Sequence, residues 1–401
     1  MRVLALGLVL LLAACGTKPD PDEPLPPPLP VARQVPSDLA ALIAATDVFG
    51  LDLLASPVLA DRTNLVVSPV SVSQVVQMAA AGAVGDTATQ MTKVLHLPDG
   101  ARPRLPAFDQ TDMKIANTAW TQRGLNVKPA YRDTVRDQFG TTLNDADFAA
   151  DPTGSRDRIN RTVADQTQGK IPDLFPPTSI NADTRLVLTN ALYLKAAWAR
   201  EFPRNRTADA PFTRADGSKV TVPMMRNDPH KDPDAELGYA EGPGYQVVTL
   251  PYKGGRLAYS VIVPASLDAL RGKGVAQLLS EVRPATVALA MPRFTTRSSM
   301  DLAETLAQAG MPKAFSKAAD FGGIADDMPL RIASVQHKTF VQVDEEGTEA
   351  AAATGADMQA TSAPMTQTVT VDRPFLFVIT DTATGAPLFL GRIGDPTAVG
   401  D

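Results

Sequence analysis

The sequence predicts an α+β protein, and three observations lead there. Apolar residues at helical spacing are concentrated in the first half of the chain and strand-like runs in the second, an order that argues against alternating βαβ units. The 401 residues are 44% hydrophobic and 20% charged, enough apolar material for a sizeable core. Beyond the N-terminus, no internal repeat is visible and no apolar run is long enough to span a bilayer.

The first element is a targeting segment, read as a signal peptide over 1–14. Arg2 supplies a short positive region and Val3 to Leu12 an apolar stretch of signal-peptide length. Leu12-Ala13-Ala14-Cys15 reads as a bacterial lipobox, in which small residues precede the cysteine that is lipidated. An ordinary signal peptide with an incidental cysteine is the alternative. Cys15 is the only cysteine, so no disulfide can form within the chain and its stability rests on packing. Residues 15–36 then form a spacer. Its Pro24-Leu25-Pro26-Pro27-Pro28-Leu29-Pro30 run lacks hydrophobic periodicity and favours extended, semi-rigid conformations. An exported protein follows, held by lipid at Cys15 to a bacterial membrane, with Gly16 favouring the outer membrane or cell surface over the inner membrane.

In the body, Leu39, Leu42, Ile43, Phe49 and Leu53 predict a helix from Ser37 to about Ala55. Leu65-Val66-Val67 is a short strand. Ser68 caps the next helix, Pro69 suits its first position, and Val72, Val75, Val76 and Ala79 line its buried face up to Gly82. Thr87-Ala88-Thr89-Gln90 reads as a capping box opening another helix, with Met91, Val94 and Leu95 inward. Ile159 and Val163 lie on a further amphipathic helix that Gly169 ends. Strands are expected at 186–188, 246–250, 258–263, 286–290, 339–343, 375–379 and 388–390.

The formal net charge of -6 makes a broad nucleic-acid surface improbable. His96, His230 and His337 are the three histidines; none sits in His-Glu-x-x-His, and no Cys-x-x-Cys occurs, so no metal site is expected. Nor is there a Gly-x-Ser-x-Gly elbow, a Ser-x-x-Lys pair or a phosphate-binding Gly-x-x-x-x-Gly-Lys loop. No cofactor and no catalytic residue are predicted, and an undetected hydrolase is the third-ranked reading.

The segment from Val341 to Thr354, Val-Gln-Val-Asp-Glu-Glu-Gly-Thr-Glu-Ala-Ala-Ala-Ala-Thr, closely resembles the hinge of inhibitory serpins. Other segments resemble the family in its order: Ser68-Pro69-Val70-Ser71 with Gly82-Ala83 and Thr87; Thr167 to Ile171, like the end of the helix that crosses the main sheet; Asn190 to Trp198, like that sheet's third strand; and Asp372 to Phe375 with Pro387 to Ile393, like the terminal strand pair. The likeness covers about Pro36 to Pro396. It implies one serpin domain over 37–401, with three β-sheets, about nine helices and an exposed reactive-centre loop at about 347–371.

The hinge, Glu345, Glu346, Gly347, Thr348, Glu349, Ala350, Ala351, Ala352 and Ala353, also has a reading from its residues. Alternate residues of an inserted strand share one face. Thr348, Ala350, Ala352, Thr354 and Ala356 carry no charge or large side chain, so this face suits a tightly packed sheet. Glu349 and Asp357 fall on the wetter face, and Gly347 frees the backbone where the chain reverses. A flexible surface loop with accidental alanines is the alternative.

The resemblance implies a monomeric suicide substrate for serine peptidases. The loop is attacked, an acyl-enzyme forms, and the cleaved loop inserts into the main sheet and traps the peptidase. Family spacing puts the reactive bond at Thr361-Ser362, with Met358, Ala360, Ala363 or Met365 as alternative residues before the cut. No Lys or Arg occurs between Gly347 and Val371, so a trypsin-like pocket is disfavoured. Elastase-like or subtilisin-like peptidases fit better, and cysteine peptidases stay open. The resemblance also implies that Ser68, Ser71, Asn190 and His337 form a hydrogen-bonded cluster beneath the sheet. Trp198 and Lys195 would lie where the loop enters, and Arg293 would pair with Glu345. A non-inhibitory member acting as a binding or structural protein is the runner-up.

Overall fold

Capping chemistry and apolar spacing set the early helices of the computed structural model, which describes residues 36–98, 113–227, 229, 236–265, 267–348 and 366–400. Helix α1 (Ser37–Leu54) buries Leu42, Ile43, Phe49 and Leu53. At α2 (Pro69–Ala80) the Ser68 hydroxyl accepts the Ser71 N–H at 3.3 Å and Pro69 takes the first helical position, as expected. The expected capping box does not open α3 (Gly85–Val94). That helix starts two residues before Thr87, at Gly85 with φ +56°, and Thr87 Oγ1 instead accepts the Asp320 N–H at 3.0 Å. A tertiary hydrogen bond has taken the hydroxyl that a capping box needs. Met91, Val94 and Leu95 are buried as predicted. The remaining helices are α4 (Pro129–Phe139), α5 (Pro152–Gln166), α6 (Leu267–Ser280) and α7 (Ala303–Ala309), making seven among the described residues where the resemblance implies about nine.

In chain order the strands are β1 (Asn64–Val67), β2 (Met113–Gln122), β3 (Leu143–Ala146), β4 (Leu186–Leu194), β5 (Ala196–Ala197), β6 (Ala208–Thr213), β7 (Lys219–Arg226), β8 (Glu236–Gly242), β9 (Tyr245–Pro251), β10 (Leu257–Val263), β11 (Arg283–Pro292), β12 (Phe294–Asp301), β13 (Gln336–Val343), β14 (Gly347–Thr348), β15 (Gln367–Thr370), β16 (Phe375–Asp381) and β17 (Pro387–Ile393). They form three sheets. A ten-stranded sheet runs β1-β17-β16-β10-β9-β8-β11-β7-β6 with β15 beside β11; a five-stranded sheet runs β12-β13-β4-β2-β3; and β14 pairs β5. All seven expected strands after residue 180 are present. This is the α+β, three-sheet arrangement that the resemblance implies.

The five-stranded sheet separates two apolar layers. In front, α5 lays Ile159 and Val163 against Trp120, Val187 and Ala191. Behind, α2 presents Val72, Val75 and Val76 to the largest cluster, which includes Val335. Strand β13 alternates accordingly. Thr339 donates to the Val66 carbonyl of β1 at 3.1 Å and Val341 and Val343 join the core, while Lys170 lies over the Phe340 ring on the other face.

Pairing along this sheet is uneven. Antiparallel β2 and β4 match from Met113↔Leu194 to Thr121↔Leu186, and β12 and β13 from Phe294↔Val343 to Asp301↔Gln336. Between them β13 and β4 run parallel and share a single pair, Thr339↔Leu192. Parallel neighbours joined so sparsely leave backbone groups of both strands available along the seam.

Candidate functional site

The upper end of that seam is built by the residues following β13. Asp344 ends the strand, and its N–H donates to the Gly347 carbonyl at 3.0 Å. Its carboxylate Oδ1 accepts the N–H groups of Glu346 at 2.9 Å and Gly347 at 3.2 Å, closing a tight turn. The chain then pairs with β5, Gly347 opposite Ala197 and Thr348 opposite Ala196. Gly347 has φ +150°, and a Cβ there would sit 2.2 Å from the Ala196 carbonyl oxygen. Both the conformation and the close backbone approach demand glycine.

Aromatic residues floor the turn. The Trp198 N–H donates to the Glu346 carbonyl and its Nε1 to the Asp344 carbonyl, each at 2.9 Å. The indole stacks on Tyr252 at 4.6 Å between centroids. The Tyr252 hydroxyl lies 2.7 Å from Thr348 Oγ1, and burial pushes its pKa up, so it stays neutral. Thr348 is only 1% exposed.

Two buried carboxylates flank the turn. Glu345 accepts from Thr207 Oγ1 at 2.8 Å, and Arg293 Nη1 lies 3.6 Å from its Oε2. Burial alone would raise the Glu345 pKa. Hydrogen bonds from Thr207 and from its own backbone, with the charges of Arg293 and Arg204, outweigh that and hold it below the ordinary range. Glu346 pairs with Arg204. Lys195 is exposed and lies between β4 and β5, one residue before the strand that holds Thr348.

A second group lies beneath the middle of the seam. His337, on β13, accepts the Ser68 N–H at its Nε2, 3.1 Å away, and Ser68 Oγ accepts from Ser71. All three residues are buried, and the Ser71 hydroxyl has no hydrogen-bond partner among the described residues. Desolvation lowers the His337 pKa to about 4, so the ring is neutral with its proton on Nδ1, as an accepting Nε2 requires. Asn190 stands on β4 opposite Asn117; its side chain lies outside the described residues. So do Cys15, Glu349, Ala350 to Ala353, the reactive bond at Thr361-Ser362, and His230.

Sequence reasoning missed Asp344, Tyr252, Thr207 and Arg204. An Asp three residues before a Gly is a turn signal that could have found Asp344. The other three come from distant segments with no local pattern.

A family model described as Serpin (serine protease inhibitor) matches residues 44–396. The chain is 33% identical over 358 residues to an uncharacterized serpin-like protein of Thermococcus kodakarensis, covering 84% of this chain and 82% of that one. It is 33% identical over 355 residues to leukocyte elastase inhibitor of Bos taurus, covering 83% and 93%. Among solved structures, "Cleaved Serpin 42Da" has TM-score 0.78 at 28% identity, over 89% of this chain and 98% of that one. The native-state thermophilic serpin tengpin has TM-score 0.77 at 24% identity, over 91% and 96%.

Proposed function

The chain belongs to the serpin family, and on that premise we propose that it inhibits serine peptidases as a suicide substrate, offering residues at about 347–371 for attack. Relatives named as inhibitors, such as leukocyte elastase inhibitor, support peptidase inhibition in general. The observation that carries the mechanism is the seam. Strands β13 and β4 are parallel neighbours with one shared pair, and the hinge turn sits at its head with Thr348 already buried. A strand folding back from that turn runs antiparallel to β13 and therefore to β4 as well. It can hydrogen-bond to both strands at once. Several backbone bonds form together, each contributing about 0.5–1.5 kcal/mol net. Insertion carries the acyl-enzyme along the molecule before water completes hydrolysis, and the intact fold is held by a barrier.

The absence of Lys and Arg between Gly347 and Val371 favours elastase-like or subtilisin-like targets, with cysteine peptidases as the alternative class. Thr361-Ser362 is the proposed reactive bond. The lipobox at Leu12 to Cys15 supports a lipid-anchored, exported monomer standing off a bacterial membrane on its proline spacer.

The test is a single cut. Nicking an ordinary exposed loop leaves stability unchanged or lowers it. Here, limited digestion with a peptidase that cuts the loop without being trapped, with the cut located by mass, is expected to raise the unfolding midpoint. A cut form no more stable than the intact protein returns the assignment to a non-inhibitory binding or structural role.

A further inference from the structure

Below the seam's one pair lies a cavity of about 50 Å³, several times the space one water needs. Its lining comes from both sides of the sheet. Val75 and Ala79 of α2 close it behind, Leu186 and Leu188 of β4 and Ala333 and Val335 before β13 form its rims, and Phe175 and Ile180 close it on the α5 side. It continues the gap between β4 and β13 beyond the end of their pairing.

The hinge turn sets which loop residue would meet it. Asp344 faces Gly347 across the turn. Stepping outward one residue on each side puts Thr348 opposite Val343, Ala352 opposite Thr339, Thr354 opposite His337 and Met358 opposite Ala333. On the other flank, Thr339↔Leu192 is a parallel pair, so stepping back along both strands sets Ala333 beside Leu186. Met358 therefore falls between two residues that line the cavity. Residues opposite each other in a ladder share a face. The face that holds Val343, Thr339 and His337 is the one turned toward α2 and β1.

Side-chain size follows the space. Positions on this face after Thr348 are Ala350, Ala352, Thr354, Ala356, Met358 and Ala360. Small residues fall where His337 and Thr339 bond directly to the layer below, and the one long side chain falls at the void. Methionine is unbranched and adaptable, suited to an irregular apolar space. We propose that this cavity is the receptor for the Met358 side chain once the cut loop joins the sheet. The inference rests on the insertion reading above and adds a fixed register and a locking residue to it.

The experiment compares intact and cut forms of the full chain by guanidinium unfolding, with the cut verified by mass to lie at or beyond residue 358. The variants are Met358→Asp, Met358→Leu and Gln359→Asp, the last placing the same charge one residue on and on the opposite face. Met358→Asp is expected to lose most of the rise in midpoint produced by cutting. Met358→Leu and Gln359→Asp should keep it, and all intact forms should unfold alike. A wild-type cut form that gains nothing overturns the insertion reading and this register with it. A wild-type gain that Met358→Asp preserves, or that Gln359→Asp abolishes equally, overturns the register alone.

Discussion

Thr348→Arg probes the hinge at its most confined point. Thr348 is 1% exposed, its hydroxyl lies 2.7 Å from that of Tyr252, and its backbone pairs with Ala196. An arginine here must lose its water against the Trp198–Tyr252 stack or drag β14 off β5. The effective penalty for an unpaired buried charge is several kcal/mol, and the lost hydroxyl pair adds about 0.5–1.5 kcal/mol. If about 3 kcal/mol of this is felt on the way to insertion, the step slows roughly a hundredfold. Each acyl-enzyme divides between insertion and hydrolysis, so the number of inhibitor molecules consumed per peptidase trapped rises with the ratio of the hydrolysis rate to the insertion rate. The assay titrates an elastase-like peptidase and counts SDS-stable complex against cleaved inhibitor. Wild type is expected to give mostly complex and Thr348→Arg mostly cleaved product, with Glu349→Arg, which an inserted strand would put on the wetter face, close to wild type. A stoichiometry unchanged by Thr348→Arg would refute the inward assignment of this residue.

Two further outcomes are expected. His337 has a native pKa of about 4 against 6.5 for the free group, so between those values the unfolded chain binds a proton that the folded protein excludes. Stability from this group is complete above about pH 6.5 and is lost as pH falls toward 4, by about 3 kcal/mol in all; unfolding midpoints at pH 7 and pH 4.5 should diverge less in His337→Gln than in wild type. Cys15→Ser should release the protein from membranes or leave its precursor unprocessed, and a wild-type protein that takes up no labelled fatty acid would refute lipid anchoring.

Seven strands after residue 180 were legible because apolar runs such as Leu257 to Val263 are buried throughout and have no helical spacing to compete with. Ser68 and Pro69 were readable because a cap acts within one turn of its helix. Thr87 was misread because its hydroxyl partner, Asp320, lies far along the chain. β12, Phe294-Thr-Thr-Arg-Ser-Ser-Met-Asp, escaped notice because its buried face includes Thr296 and Ser298, whose hydroxyls mask the alternation. At the site, the hinge residues formed a contiguous signature. Tyr252, Thr207 and Arg204 are brought to Thr348, Glu345 and Glu346 only by the folding of separate strands, so no local spacing announces them.

In the proposed reaction, strand β15 gives the two ends of a cut separate fates. It lies alongside β11 from Val287↔Gln367 to Ala290↔Thr370, with Val369 buried and the Val371 N–H bonded to the Ala290 carbonyl at 2.8 Å. Peptide-bond cleavage through an acyl-enzyme is reversible in principle, because the departing amine can attack the acyl carbon and remake the bond. In the proposed reaction that amine belongs to a short tether fixed to the ten-stranded sheet. The acyl end, at Thr361, travels with the inserting strand, and the thirteen residue steps from Thr348 carry it about 44 Å from the hinge. The amine's effective concentration at the acyl carbon then drops toward zero. Resynthesis is closed off by distance.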